Sequence, residues 1–410
     1  MNDSDTRLIN PQWESEDIYN SLRPPLYDSV AFDFESSRDI QLAFEGRKKA
    51  FAYSRVNNPT VAELEKRIQD LSGSIGVIAL SSGMAAISNA VLALAGSGTN
   101  GVIARTLFGN SVSLFKETLG PWGFESRFVD MTDPAGVEAA IDEDTRFIFL
   151  EIISNPQLEV ADIREIVDVG NRRGVPVILD GTLTTPYIFN AKAAGVALEI
   201  ISSTKYISGG ATSTGGLILD YGNFDWGLNP LMKKWSQSFG PMALLVRLRR
   251  EVFRNIGACL APHNAWLQIL GLETLGLRID RSCENAMAVS EWLTETSKIS
   301  RVDYPGLKNS EYHSISIEQF GSRFGGILTF DLKDRETAFR FMDSLQLIRR
   351  ATNLNDNKSL ILHPATTIFS EYSKEECDEM GVRDTMIRLS VGIESYKDLI
   401  SDIRQALDKI

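Results

Sequence analysis

Through the middle of the chain, short apolar and β-branched runs alternate with amphipathic stretches. Val102-Ile-Ala104, Phe147-Ile-Phe-Leu150, Val177-Ile-Leu179 and Leu198-Glu-Ile-Ile201 read as largely buried strands. Between them, residues 161–169 place apolar side chains at helical spacing. This alternation predicts an α/β unit with a mainly parallel sheet. Upstream, Thr60-Val-Ala-Glu63 reads as a capping box opening a helix that carries Leu64, Ile68 and Leu71. Before it, Pro24-Pro25 and Asn58-Pro59 push the backbone out of the helical region. The expectation there is an extended arm whose aromatics (Tyr27, Phe32, Phe34, Phe51, Tyr53) pack on a partner subunit. Past residue 255 the pattern changes. A long amphipathic stretch over 277–293 precedes strand-like segments at 325–330 and 386–391 and a helical tail over 396–410. The predicted organisation is an arm (1–62), a large α/β domain (63–255) and a smaller C-terminal α+β domain (256–410).

Composition narrows the function classes. The 410 residues suffice for a large core without disulfide or metal staples. The net charge of −12 argues against a nucleic-acid surface. Three cysteines and three histidines are scattered without ligand spacing, so no metal site is expected. This thiol usage suits a reducing compartment. The N-terminus is polar, and no apolar run reaches the roughly 18 residues of a membrane span. A cytoplasmic protein with no membrane or nucleic-acid partner is the expectation.

Four segments bear on chemistry. Gly96-Ser-Gly98-Thr-Asn-Gly101 fits GxGxxG, but it follows a helical stretch and precedes a strand, the reverse of a dinucleotide fingerprint. It reads as a turn, and a nicotinamide oxidoreductase is disfavoured. Ser81-Ser82-Gly83-Met84 leads a strand-like run into a helix, where backbone N–H groups can meet an anion. Asp180 ends a buried strand, the edge at which open α/β sheets bind ligands. Ser202-Ser-Thr204-Lys205 follows an apolar run, so desolvation lowers the lysine's proton affinity and suits it to Schiff-base chemistry. Each segment alone also fits a plain turn, cap or surface lysine. In this order they supply what pyridoxal 5′-phosphate (PLP) needs: a phosphate cradle, an acid for the ring nitrogen and a lysine.

The chain resembles the PLP-dependent enzymes of cysteine and methionine metabolism, from about Pro24 to the C-terminus. The matching pieces include Tyr53-Ser-Arg55, Asn58-Pro-Thr60, Ser82-Gly-Met84, Glu151 with Asn155-Pro156, Asp180, and Ser202-Ser-Thr-Lys205. Further on they include Gly271-Leu-Glu-Thr-Leu, Ser359-Leu, His363-Pro364 and Arg388-Leu-Ser-Val-Gly-Ile-Glu394. The resemblance implies PLP-dependent transferase fold type I, with a seven-stranded, mainly parallel sheet. It implies Lys205 as Schiff-base lysine and proton shuttle, and Asp180 on the ring nitrogen. Ser82, Gly83, Met84, Ser202 and Thr204 would hold the phosphate, and Phe108 would stack on the ring. Asn155, Ser359 and Arg388 would take the substrate carboxylate. Tyr53 and Arg55 match residues that reach the phosphate of a neighbouring subunit, implying a homotetramer built as a dimer of dimers.

Gly222-Asn-Phe-Asp-Trp226 and Asn353-Leu-Asn-Asp-Asn-Lys-Ser-Leu resemble the O-acetylhomoserine sulfhydrylase branch. That implies γ-replacement on O-acetyl-L-homoserine by a sulfur donor, giving homocysteine and acetate in methionine biosynthesis. The sulfur could come as free sulfide or on a sulfur-carrier protein; the sequence leaves both open. The alternative is a γ-lyase acting on methionine or cystathionine. A third reading, a PLP-binding protein without turnover, is disfavoured by retention of Lys205, Asp180 and Arg388. Three departures stand out: Phe108 where the family usually has tyrosine, Gly181 where it has asparagine, and Gly210 where it has histidine.

Overall fold

The computed structural model describes residues 4–9 and 19–410. The arm and terminal expectations for residues 1–3 and 10–18 lie outside the described residues. Seven strands form the first sheet: β1 (Gly76–Leu80), β2 (Asn100–Ala104), β3 (Glu125–Val129), β4 (Thr145–Glu151), β5 (Val177–Asp180), β6 (Leu198–Ile201) and β7 (Gly216–Asp220). Their order is β1-β7-β6-β5-β4-β2-β3. Only β7 runs against its neighbours, antiparallel to β1 and β6; the rest pair in parallel. β2, β6 and β7 are buried along their whole length, as the apolar runs in β2 and β6 predict. β3, at the edge beside β2, has no residue fully buried and carries no apolar run to read.

The Pro59–Ser72 helix begins differently from the predicted capping box. Asn58 is the cap, its side chain accepting from the amides of Thr60 (2.9 Å) and Val61 (3.4 Å). Pro59 supplies the first turn, where a missing N–H costs nothing. Thr60 instead ties down the arm: its hydroxyl donates to the Pro25 carbonyl and accepts from the Tyr27 amide. Glu63 pairs with Arg67 one turn on. The described arm is not wholly extended, since Ser4–Ile9 and Ser37–Phe44 are helical.

A second sheet follows: β8 (Arg301–Asp303), β9 (Ile327–Asp331), β10 (Arg349–Arg350), β11 (Leu360–Leu362) and β12 (Met386–Ser390), ordered β10-β11-β12-β9-β8. All its pairs are antiparallel except β10 with β11. The helices Leu275–Thr294 and Tyr396–Leu407 pack on each other beside it. The helix Pro262–Leu272 packs on Pro59–Ser72 and on the turn Tyr206–Ser208, so it sits with the first sheet. Among the described residues, no helix is long and apolar enough to cross a membrane.

Candidate active site

The C-terminal ends of β4, β5 and β6 converge on one cavity. Register sets this: Glu151 of β4 lies opposite Asp180 of β5, and Asp180 opposite Ile200 of β6. The cavity holds about 230 Å³ and is lined by Ser82, Gly83, Met84, Phe108, Asn155, Asp180, Ser202, Thr204 and Lys205, together with Glu151, Thr182, Thr352 and Leu354. A second hollow of about 470 Å³ shares Phe108, Lys205 and Thr352 with it and is closed on its far side by residues including Ile368, Glu371 and Tyr372.

At one end the helix Gly83–Leu94 presents its N-terminus. Ser82 caps it, accepting from the Ala85 amide at 3.1 Å. A Cβ on Gly83 would stand 2.8 Å from Cβ of Ser202, so glycine lets the helix start come this close to Ser202. The result is a cradle of amides and hydroxyls at a helix N-terminus, chemistry that fits a phosphate. Ser202 is held by its amide, which donates to the Thr182 hydroxyl at 2.8 Å. Thr204 is braced through Gly215, whose amide donates to its hydroxyl at 3.0 Å.

In the middle stand two carboxyl groups. Asp180 accepts from the Thr182 amide at 2.9 Å. Glu151 holds the loop around it, accepting from the amides of Phe108 (2.8 Å) and Asn155 (3.1 Å). Burial pushes Glu151 well above the usual carboxylate range, and the adjacent Asp180 adds to this; burial raises Asp180 too. A cationic ring nitrogen beside Asp180 would relieve this crowding of acids.

Lys205 closes the cavity. Burial and then the nearby Arg388 pull its amine down to about 8. Nζ donates to Oδ1 of Asn353 at 2.7 Å. Its loop is braced from beneath. Arg278 donates to the carbonyls of Tyr206 (2.6 Å) and Gly271 (2.7 Å). A Cβ on Gly209 would lie 2.8 Å from the Cα of Gly271, so the two main chains touch there. That contact gives the Gly271-Leu-Glu-Thr-Leu segment a local task. A side chain at Gly210 would meet Asn357 Nδ2 at 2.5 Å, and that amide already donates to the Gly209 carbonyl.

Opposite stands Arg388 on β12, 1% exposed. Its guanidinium donates to Asn155 Oδ1 (2.9 Å) and to the carbonyls of Asn353 (3.2 Å) and Thr352 (3.4 Å), while Nε has no partner. These partners are all neutral. Burial lowers its proton affinity, yet only to about 10, so the group stays cationic at neutral pH. A buried cation without a counter-ion is costly, and a carboxylate from outside would complete it.

The structure thus brings together Ser82, Gly83, Met84, Phe108, Asn155, Asp180, Ser202, Thr204 and Lys205, with Arg388 alongside through Asn155. It does not bring Ser359 there. The Ser359 hydroxyl donates to Glu394 (2.9 Å) and accepts from the Gly392 amide (2.9 Å), so the turn before β11 points it elsewhere. Thr352, Asn353 and Leu354 occupy that wall instead. Asn353 opens the very segment that carries the branch resemblance, and its place six residues before Ser359 was the available signal. Tyr53 and Arg55 also lie outside the cavity of their own chain. Arg55 donates to the Arg254 carbonyl at 2.7 Å and stacks over the Tyr53 ring.

Comparison with known proteins agrees with this geometry. The family described as Cys/Met metabolism PLP-dependent enzyme matches residues 5–408. A solved structure from Campylobacter jejuni subsp. jejuni, in which a lysine bears a pyridoxyl 5′-monophosphate group, superposes with a TM-score of 0.94 at 34% identity over 99% of both chains. O-acetylhomoserine sulfhydrylase of Wolinella succinogenes is 48% identical, with a TM-score of 0.78 over 86% of this chain and 99% of that one. L-methionine γ-lyase of Pseudomonas putida is 34% identical over 98% of this chain and 96% of that protein. With the cradle, the acid and the desolvated lysine in one cavity and the match running almost end to end, the chain belongs to the Cys/Met metabolism PLP-dependent enzymes, of fold type I.

Proposed function

We propose that the enzyme carries out γ-replacement on an O-acylated homoserine, with O-acetyl-L-homoserine and a sulfur donor giving homocysteine and acetate. Ser82, Ser202, Thr204 and the amides of Gly83 and Met84 hold the cofactor phosphate, Asp180 meets the ring nitrogen, and Phe108 stacks on the ring. Bound PLP supplies the electron sink. Arg388 and Asn155 fix the substrate carboxylate, which orients the α-hydrogen toward Lys205. The Lys205 amine then moves protons between substrate carbons, steadied by Asn353. Tyr53 and Arg55 serve the neighbouring subunit. In support, the arm exposes the apolar side chains Leu22 (95%), Val30 (61%) and Phe44 (70%), which a homotetramer would cover.

Phe108 carries the choice of reaction. It lines the cavity as a ring without a hydroxyl. A thiolate leaving group gains from a nearby proton donor, whereas acetate departs without one. The 48% identity to a sulfhydrylase points the same way. The γ-lyase reading keeps a foothold in the 34% identity to the Pseudomonas putida enzyme.

The test is product analysis by mass spectrometry, with PLP and O-acetyl-L-homoserine, with and without sulfide. Homocysteine appearing only with sulfide is the expected result. 2-Oxobutyrate and ammonia in its place would move the protein to the lyases. Phe108→Tyr should raise the eliminated fraction; an unchanged product ratio would remove the missing phenol from the explanation. A sulfur-carrier protein is tested separately, by whether its thiocarboxylate replaces sulfide.

A further inference from the structure

Beneath the Asp180 turn the sheet buries an acid that the proposed chemistry leaves without a task. Glu199 on β6 is 0% exposed and lies opposite Leu179 of β5, one register step from Asp180. Side chains alternate along a strand, so it projects from the opposite face, under Gly181. One carboxyl oxygen, Oε2, accepts from the hydroxyl of Tyr221, itself 2% exposed. The other, Oε1, has no partner and stands in the space that a Cβ on Gly181 would need. Gly181 is the position at which the family usually carries asparagine. Here Glu199 fills that volume, so a side chain at position 181 and the carboxyl in this place exclude each other.

We propose that Glu199 and Tyr221 form a positioning pair for Asp180, packed under Gly181 to fix the Asp180–Thr182 turn and, by gaining or losing one proton, to set the potential at the cofactor's ring nitrogen. The proposal rests on the cofactor assignment and not on which γ-reaction follows.

Burial raises Glu199 to about 8; the Tyr221 hydrogen bond opposes the rise and the Asp180 charge adds to it. Tyr221, just past β7, meets the carboxyl directly, while Asp180 of β5 acts on it from the other face of the sheet. The helix Gly83–Leu94, packed on β6 and β7, carries no ionisable residue. Below pH 8 Glu199 is therefore largely neutral and adds no charge behind Asp180. Above it, Glu199 gives up its proton and a negative charge appears behind Asp180.

The test is a pH titration of the visible cofactor band of the holoenzyme from about pH 6 to 10. Wild type should show an inflection near pH 8 that Glu199→Gln lacks. Tyr221→Phe removes a hydrogen bond to the charged form and should move that inflection up by about one unit. Superimposable wild-type and Glu199→Gln profiles would overturn the proposal. If Glu199→Gln does not load the cofactor, an unchanged Tyr221→Phe profile would do the same. Gly181→Ala should lower cofactor retention, and adding Glu199→Ala should restore it; no restoration would overturn the steric half. A wild-type protein with no visible band in PLP would instead remove the cofactor assignment itself.

Discussion

The two sides of the cavity are built by different means. The side proposed for the cofactor is made of strand ends from one sheet, each residue placed by its own β-strand and the turn that follows. The side proposed for the substrate is made of Arg388 from the second sheet and of irregular chain around Thr352 and Asn353, joined to the first side through Asn155. The cofactor side is held by glycine contacts and short-range caps, so its parts are legible as local motifs. The substrate side exists only when distant segments dock, and its register cannot be read one motif at a time.

Perturbing each side should separate cofactor from substrate. The largest effect is expected at Lys205. Lys205→Ala should abolish the lysine-linked visible band and cut turnover by about a thousandfold or more; wild-type turnover in that variant would refute its role. Next comes Arg388→Met, which should leave the cofactor band intact while kcat/KM falls by roughly a hundredfold, chiefly through KM. A lost band there would mean that the two sides are not separable. Asn353→Ala should lower kcat by about tenfold, because the Lys205 amine loses its hydrogen bond. Ser359→Ala should change kcat/KM less than about twofold and cost about 1 kcal/mol of stability. An effect on KM as large as that of Arg388 would return Ser359 to the site.

The smallest effect concerns pH and stability. Glu199 is held up to about 8 and Asp220 to about 7, both by burial. Unfolded carboxyls lose their protons near pH 4. Between those values the folded state binds protons that the unfolded state has lost, so stability falls as pH rises and levels off above about 8. Urea titrations at pH 5 and pH 8 should show this fall, and Glu199→Gln should flatten it. An equal slope in the variant would show that Glu199 is ionised in the folded protein at pH 5.

The sequence made the cofactor side largely legible because its physics is local. An apolar run, a terminal acid and a hydroxyl-rich turn each declare themselves within a few residues, and β4, β5 and β6 carry them. What escaped was set by distance. The Asn58 cap outcompeted Thr60, whose hydroxyl was claimed by the arm about 35 residues earlier. Ser359 looked like a ligand until Glu394 claimed it. Glu151 carried a motif but no evident role, since its carboxylate serves two backbone amides that only the folded loop brings to it.

The guanidinium of Arg388, whose hydrogen-bond partners are all neutral, has a consequence for the amine near it. After burial, its field is the second cause that pulls the Lys205 amine down to about 8. A carboxylate that docks on Arg388 cancels that field, so arrival of the substrate returns proton affinity to the lysine. Thermodynamic reciprocity requires the converse: the site binds a carboxylate more tightly when Lys205 carries its proton. Ligand and proton therefore act as mutual effectors at this site, each strengthening the binding of the other.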